Sequence, residues 1–364
     1  MLRAPAPGSR DMSEAVFESL ADALDRLPNG YPRTDSGVEI LILKKIFAAE
    51  EAALASLLGR ELESSGSIAQ RAGIPTREAR HILMRMAKRG LVWGGKNEQG
   101  PAFRLAPFVV GIYEAQLEMM DHELAHLFED YMAQGGAKGI MGPLPSLHRV
   151  VPAHGSVKSE WIMPYDEVRA LLLDANAFSV RDCICRKERD FSAKRSCSLP
   201  LQNCLSMSLT ARPARPGDIS KEQAVAILDQ AEQVGLVHTV SNVLSGVNYV
   251  CNCCGCCCGI LRGITEYGLD RSVAAANYLA SVDPDTCSGC GTCVDRCQVG
   301  AMRLPDATAV VAANRCIGCG LCVTGCPTEA VTLKRKSEEQ IVHPPADFAS
   351  WEQERLRNRR NPQR

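Results

Sequence analysis

No cysteine occurs before Cys183, and 14 of the 18 fall between Cys251 and Cys326, so thiol chemistry is confined to particular segments. Net charge is also nearly absent: 41 Lys and Arg stand against 42 Asp and Glu, a formal −1. That balance gives no global field toward nucleic acid or a membrane surface, and leaves only local patches for such contacts. Long apolar runs are missing too. The stretches VEILILKKIF and FVVGIYEAQLEMM are too short or too charged to span a bilayer, and the opening MLRAPAPGSRDM has no apolar core of a signal peptide. These features predict a cytoplasmic protein without a membrane span. In a reducing compartment, clustered thiols point to metal rather than to disulfides.

What is present divides into segments, and the pattern predicts an α+β multidomain chain. Residues 1–36 read as an N-terminal tail and a helix, with Phe17, Leu20, Leu24 and Leu27 at helical spacing. Residues 37–106 carry helices over GVEILILKKIF and EEAALASLLGREL, then SIAQRAGIPTREARHILMRMAKRGLV. There Ala69 and Gly73 permit a close helix–turn approach, Thr76 is placed to cap the next helix, and Ala79, Ile82, Leu83 and Met86 form its buried stripe. Two short strands around LVW and AFRL follow, and the order resembles a winged helix-turn-helix domain. Residues 107–164 read as a long amphipathic helix from Phe108 and a Gly/Pro-rich linker. Residues 165–280 read as a mixed α/β, Cys-rich middle domain. Asp166 is placed to cap a helix over EVRALLLDANA, FSVRDCICR is a strand leading into a loop, and Ser220 with Gln223 forms a capping box. Residues 281–334 form the next unit, and 335–364 a polar tail, disordered at ERLRNRRNPQR.

The strongest pattern is in residues 281–334. CSGCGTCVDRC, from Cys287 to Cys297, and CIGCGLCVTGCP, from Cys316 to Pro327, are each C-x2-C-x2-C-x3-C. Three cysteines at such spacing wrap one cubane while the fourth reaches the other. Cys287, Cys290, Cys293 and Cys326 are therefore assigned to one [4Fe–4S] cluster, and Cys316, Cys319, Cys322 and Cys297 to a second. The segment resembles a bacterial two-cluster ferredoxin, with Gln298 where the first run would often carry Pro. Clusters fully ligated by cysteine have no open iron and act as wires.

The middle cysteines are less regular. Cys183 and Cys185 form a C-x-C pair, with Cys197 and Cys204 downstream among Arg181, Arg186, Lys187 and Arg189, an electropositive setting that favours thiolates. CNCCGCCCG adds Cys251, Cys253, Cys254, Cys256, Cys257 and Cys258, more than one four-ligand site takes. Neighbouring cysteines project differently, so Cys253 and Cys254 are candidates for separate centres, and some of the six for completing the C-x-C site. The cofactor there is a third iron–sulfur cluster or zinc. The architecture from about Gly37 to Lys334 resembles uncharacterised anaerobe-type 4Fe–4S proteins with a winged-helix segment, an APFVVGIYE stretch, the CNCCGCCCG motif and a C-terminal dicluster ferredoxin. Its CCG pairs are similar to the cysteine-rich domains of heterodisulfide reductases, whose long spacings are not reproduced.

Two other signals carry less. HELAH, with His122, Glu123 and His126, matches a zinc-peptidase motif, but position 129 is Glu129 and no downstream third ligand is evident; a solvated helix face accounts for it. Arg77, Arg80, His81, Arg85, Lys88 and Arg89 make the second helix of the helix-turn-helix basic, suiting DNA phosphates or a protein partner. The reading is an iron–sulfur electron-transfer protein, an electron carrier or oxidoreductase subunit rather than a stand-alone enzyme. Its partner would be a redox enzyme or an electron donor or acceptor protein. The alternatives are a redox-sensing DNA-binding regulator and an oxidoreductase with a catalytic metal centre at the middle cysteines.

Overall fold

The computed structural model describes residues 12–160, 162–173 and 175–360. Its contacts divide the chain into one unit ending at Ile140 and a second beginning at Met141.

The first unit opens with α1 (Met12–Asp25), whose Phe17, Leu20 and Leu24 are buried, followed by α2 (Val38–Ile46) and α3 (Ala49–Ala55). A two-residue strand β1 (Glu63–Ser64) leads into α4 (Ser65–Ala72), where the Ser64 hydroxyl accepts from the Ser67 amide at 3.2 Å. Gly73 ends α4 with φ 67°, the left-handed conformation that glycine adopts without a Cβ clash. Helix α5 (Thr76–Lys88) then starts at Thr76 itself; Pro75 holds the cap position and supplies no side-chain bond, so Thr76 is not the cap. Ala79, Ile82, Leu83 and Met86 are its buried stripe. Strands β2 (Val92–Asn97) and β3 (Gly100–Leu105) form a hairpin, and β1 completes an antiparallel sheet in the order β1-β3-β2.

The long helix expected from Phe108 is not one helix. Short irregular turns cover Phe108–Gln116, where Glu114 accepts from the Gly111 amide at 2.6 Å, and α6 (His122–Tyr131) begins afresh after Asp121. Asp121 caps it by accepting from the Leu124 amide at 2.8 Å. A cap within the run overrides its apolar periodicity. His122, Glu123 and His126 lie exposed on α6, with Glu123 bonded to Lys45, a solvated face. The basic helix also needs correction. Arg85 and Arg89 are not free for a ligand: both bond Glu51, which is 1% exposed, the closest contacts being 3.0 and 2.8 Å. Arg77, Arg80, His81 and Lys88 remain exposed.

A short helix α7 (Ala137–Met141) precedes β4 (His148–Val151), so the segment read as a linker contributes a fully buried strand. The second unit continues through β5 (Ala177–Asp182), α8 (Ile184–Phe191), β6 (Gln202–Ser208), β7 (Asp218–Ile219) and α9 (Lys221–Gln233). It goes on to β8 (Val237–Ser241), β9 (Tyr249–Cys253), α10 (Gly259–Thr265) and β10 (Val273–Ala274). The strands make a seven-stranded sheet in the order β10-β4-β8-β9-β6-β5-β7, antiparallel except for β10–β4. The capping box on α9 is formed: Ser220 accepts from the Gln223 amide at 3.2 Å, and Gln223 accepts from the Ser220 amide at 2.8 Å.

Three expectations fail in this unit. Asp166 caps no helix; the described residues of EVRALLLDANA form only a single turn, at Ala170–Leu172, and Asp166 is buried 3.6 Å from the Arg149 guanidinium. Strand β5 leads into α8 rather than a loop.

The rest of the chain comprises β11 (Tyr278–Val282), α11 (Thr292–Asp295), β12 (Met302–Arg303), β13 (Val310–Val311), α12 (Leu321–Thr324), β14 (Val331–Arg335) and α13 (Phe348–Arg360). The third failure is the tail. Helix α13 buries Trp351 and Arg355, whose side chains donate to the carbonyls of Ser146 at 3.1 Å and Pro145 at 2.6 Å. Positions 361–364, part of the expected disordered tail, lie outside the described residues. Among the described residues no helix is long and apolar enough to cross a membrane.

Candidate metal centres

In the C-terminal region β11 pairs with β14 and β12 with β13, and each cysteine run wraps into a one-turn helix, α11 or α12. The tight wrap needs glycine: Gly318 has φ 69°, and a Cβ there would overlap the Tyr278 carbonyl. Two small cavities result. One is lined by Cys287, Cys290 and Cys293 of the first run with Cys326 of the second. The other is lined by Cys316, Cys319 and Cys322 of the second run with Cys297 of the first. Amides turn toward the sulfurs: Ala301 donates to Cys297 Sγ at 3.1 Å and Ala309 to Cys287 Sγ at 3.5 Å. Such donors stabilise thiolate and sulfide charge.

The cavities differ in exposure. Cys290 is exposed, and its thiol is held below the ordinary value by the Thr292 hydroxyl and neighbouring amides. Burial pushes the Cys319 thiol up to about 12 and raises Cys322 as well. Loading metal there requires those protons to leave. An all-thiolate donor set around a small cavity with inward amides fits an iron–sulfur cluster.

The ten middle cysteines separate into two groups. Cys197, Cys254, Cys256 and Cys257 hold their sulfurs all within 4.8 Å of one another, packed against Ala231, Leu236 and Leu199. Cys197 is therefore not grouped with Cys183, Cys185 and Cys204. The remaining six make a closed ring in which each thiol interacts with two others. The order is Cys183, Cys185, Cys258, Cys253, Cys251, Cys204 and back to Cys183. Strand alternation puts Cys251 and Cys253 on one face of β9, with Asn252 on the other. The β6–β9 register pairs Leu205 with Val250, and one step further sets Cys204 against Cys251. Cys183 precedes α8, Cys185 lies in its first turn, and Cys258 precedes α10. Consecutive residues thus enter different groups: Cys253 and Cys258 the ring, Cys254 and Cys257 the compact set.

Arg186 lies between the groups and is 1% exposed. It donates to the carbonyls of Pro200 and Asn252 and to Asn203 Oδ1 at 2.9–3.0 Å, and its charge acts on Cys183, Cys253 and Cys254. Interaction with Cys185 and Cys204 holds the Cys183 thiol well below its ordinary value, as that with Cys251 and Cys258 does for Cys253.

One contributing residue stood out in the sequence only as a Gln where such a run would often carry Pro. Gln298, directly after Cys297, accepts from the Gly255 amide and donates to the Gly235 carbonyl, both at 2.9 Å. Gly255 splits the CNCCGCCCG run, and a Cβ there would overlap the Gln298 carbonyl oxygen. The two cysteine-rich segments are therefore in direct backbone contact. The lone glycine within a run of cysteines was the available signal. Apart from these sites, a cavity of about 330 Å³ is lined by Arg149, Tyr165, Asp166, Asn277, Lys336 and His343, among others.

No curated protein and no solved structure matches the chain. Residues 279–343 match a family model described as a 4Fe-4S dicluster domain, and together with the middle cysteine cluster this supports iron–sulfur binding and an electron-transfer role.

Proposed function

We propose that the chain is an iron–sulfur electron carrier or electron-delivering subunit that serves a redox partner protein. In this reading Cys287, Cys290, Cys293 and Cys326 hold one [4Fe–4S] cluster, Cys316, Cys319, Cys322 and Cys297 hold a second, and the middle cysteines hold further metal. The observation that carries it is the pair of cavities, each lined by three cysteines of one run and the fourth of the other. Bound clusters of this kind supply one-electron redox chemistry with little reorganisation. The chain's own residues supply direction. The exposed Cys290 edge suits a partner, and the Gln298–Gly255 contact joins the second set to the middle thiols.

Helices α4 and α5 with the β2–β3 hairpin support a winged-helix reading of the first unit, whose exposed Arg77, Arg80, His81 and Lys88 would dock the partner. The same exposed charges favour the second reading, a redox-sensing DNA-binding regulator. Anaerobically reduced protein should show paramagnetic signals of two interacting clusters integrating to about two spins per chain. A chain that binds about four irons or fewer after reconstitution overturns the reading.

A further inference from the structure

The six-thiol ring and the compact four-thiol set call for different occupants. A single tetrahedral ion takes four thiolates at about 2.3 Å, which places the sulfurs about 3.8 Å apart. Cys197, Cys254, Cys256 and Cys257 suit that spacing, and among the described residues they are the one group whose ligand atoms all lie within 4.8 Å of one another. The ring sulfurs form no such group. Each meets two neighbours, but no three are mutually close enough to share one ion. Two ions bridged by shared thiolates would need such close sets as well. A single cubane takes four cysteines, two fewer than the ring presents.

We propose that Cys183, Cys185, Cys204, Cys251, Cys253 and Cys258 together hold one polynuclear iron–sulfur cluster of more than four irons, separate from a single ion held by Cys197, Cys254, Cys256 and Cys257. The proposal rests on the reading that the middle cysteines bind metal. In a sulfide-bridged core the thiolates sit on different irons, so the ligands are spread around the core as the ring is. The surroundings suit such an anion. Arg186 is fully buried beside the ring, fixed by three oxygen acceptors, and the N-terminal end of α8 carries Cys183 and Cys185. Cys183, Cys253 and Cys258 are buried, and the Thr239 hydroxyl lies 3.4 Å from Cys253 Sγ, which further restricts access by solvent. Two paired strands and the leading ends of two helices supply the ligands, so the ring is set by the sheet rather than by one flexible loop.

The test uses the full chain, reconstituted anaerobically with ferrous iron and sulfide. It is analysed by native mass spectrometry, by iron, zinc and acid-labile sulfide determination, and by Mössbauer spectroscopy. The wild type should carry more than about twelve irons, about eight of them in the two C-terminal clusters, plus one further ion. A double variant Cys204→Ser, Cys251→Ser should lose more than about four irons with their sulfide and keep the two-cluster signals. Cys197→Ser should lose one ion without sulfide. Loss of about four irons or fewer from the ring variant, or two zinc ions in the wild type in place of that iron, overturns the polynuclear assignment. A wild type that binds about eight irons and nothing more overturns the underlying reading of the middle cysteines as metal ligands. The wild-type iron count decides the matter even if the ring variant does not fold.

Discussion

Asp166 shows how a single residue's role can be reversed by its surroundings. Its place before an apolar stretch reads as a helix cap, yet the side chain is 3% exposed and faces the equally buried Arg149. Burial raises its pKa to about 6, with Arg149 and a bond from Tyr278 offsetting part of the rise. A raised carboxyl means that the folded state holds a proton the unfolded chain has already lost, so stability falls as pH rises from the ordinary value toward 6. Between pH 5 and 6 the wild type should lose about 1 kcal/mol per pH unit relative to Asp166→Asn, then level off above pH 7. Denaturant midpoints of both proteins across that range check this; parallel curves would refute it. Sequence gave no sign of this pairing, because Arg149 lies in a segment that read as a linker.

At the level of elements, the contact between the Cys-rich turn and the C-terminal run depends on Gly255. A methyl group there meets the Gln298 carbonyl, whereas one at Gly259, at the start of α10, meets nothing within 4 Å. Gly255→Ala should cost about 1–3 kcal/mol, as overpacking does. Gly259→Ala should be neutral or slightly stabilising. Thermal unfolding of the two variants at equal metal content makes the comparison, and equal midpoints would mean that the turn moves away without cost. Other elements were legible beforehand because their signals are local: the capping box at Ser220 and Gln223, the stripe of α5, and the hairpin after it. The break before α6 was not anticipated, since apolar spacing continues through Gly111 and Asp121 while the backbone does not.

For the whole molecule, the choice between carrier and regulator turns on the basic face of α5. Arg85 is a poor probe of it, because the Arg85 and Arg89 guanidiniums satisfy buried Glu51; burial raises that carboxyl, but the Ala48 amide and the two guanidiniums together outweigh burial and hold it below its ordinary value. Arg80 and Lys88 are exposed and test the surface without disturbing that network. The double variant Arg80→Glu, Lys88→Glu should change stability by less than about 0.5 kcal/mol. In a carrier it should slow electron transfer to the partner most strongly at low salt, where charge steering is least screened. Lost DNA retention with unchanged electron transfer would instead establish the regulator. Both activities are to be measured at equal iron content.

Sequence alone determined which C-terminal cysteines share each cavity, because three of the four in each lie within seven residues and their spacing dictates the local wrap. It also determined that ten further thiols lie between Cys183 and Cys258, in excess of any single site. Their partition was decided by tertiary structure. Cys204 meets Cys251 through strand register, Cys197 reaches Cys257 across 60 positions of chain, and neighbours such as Cys253 and Cys254 diverge where β9 ends and a turn begins. Register and turn direction follow from packing between distant segments, and no spacing within the cysteine run encodes them.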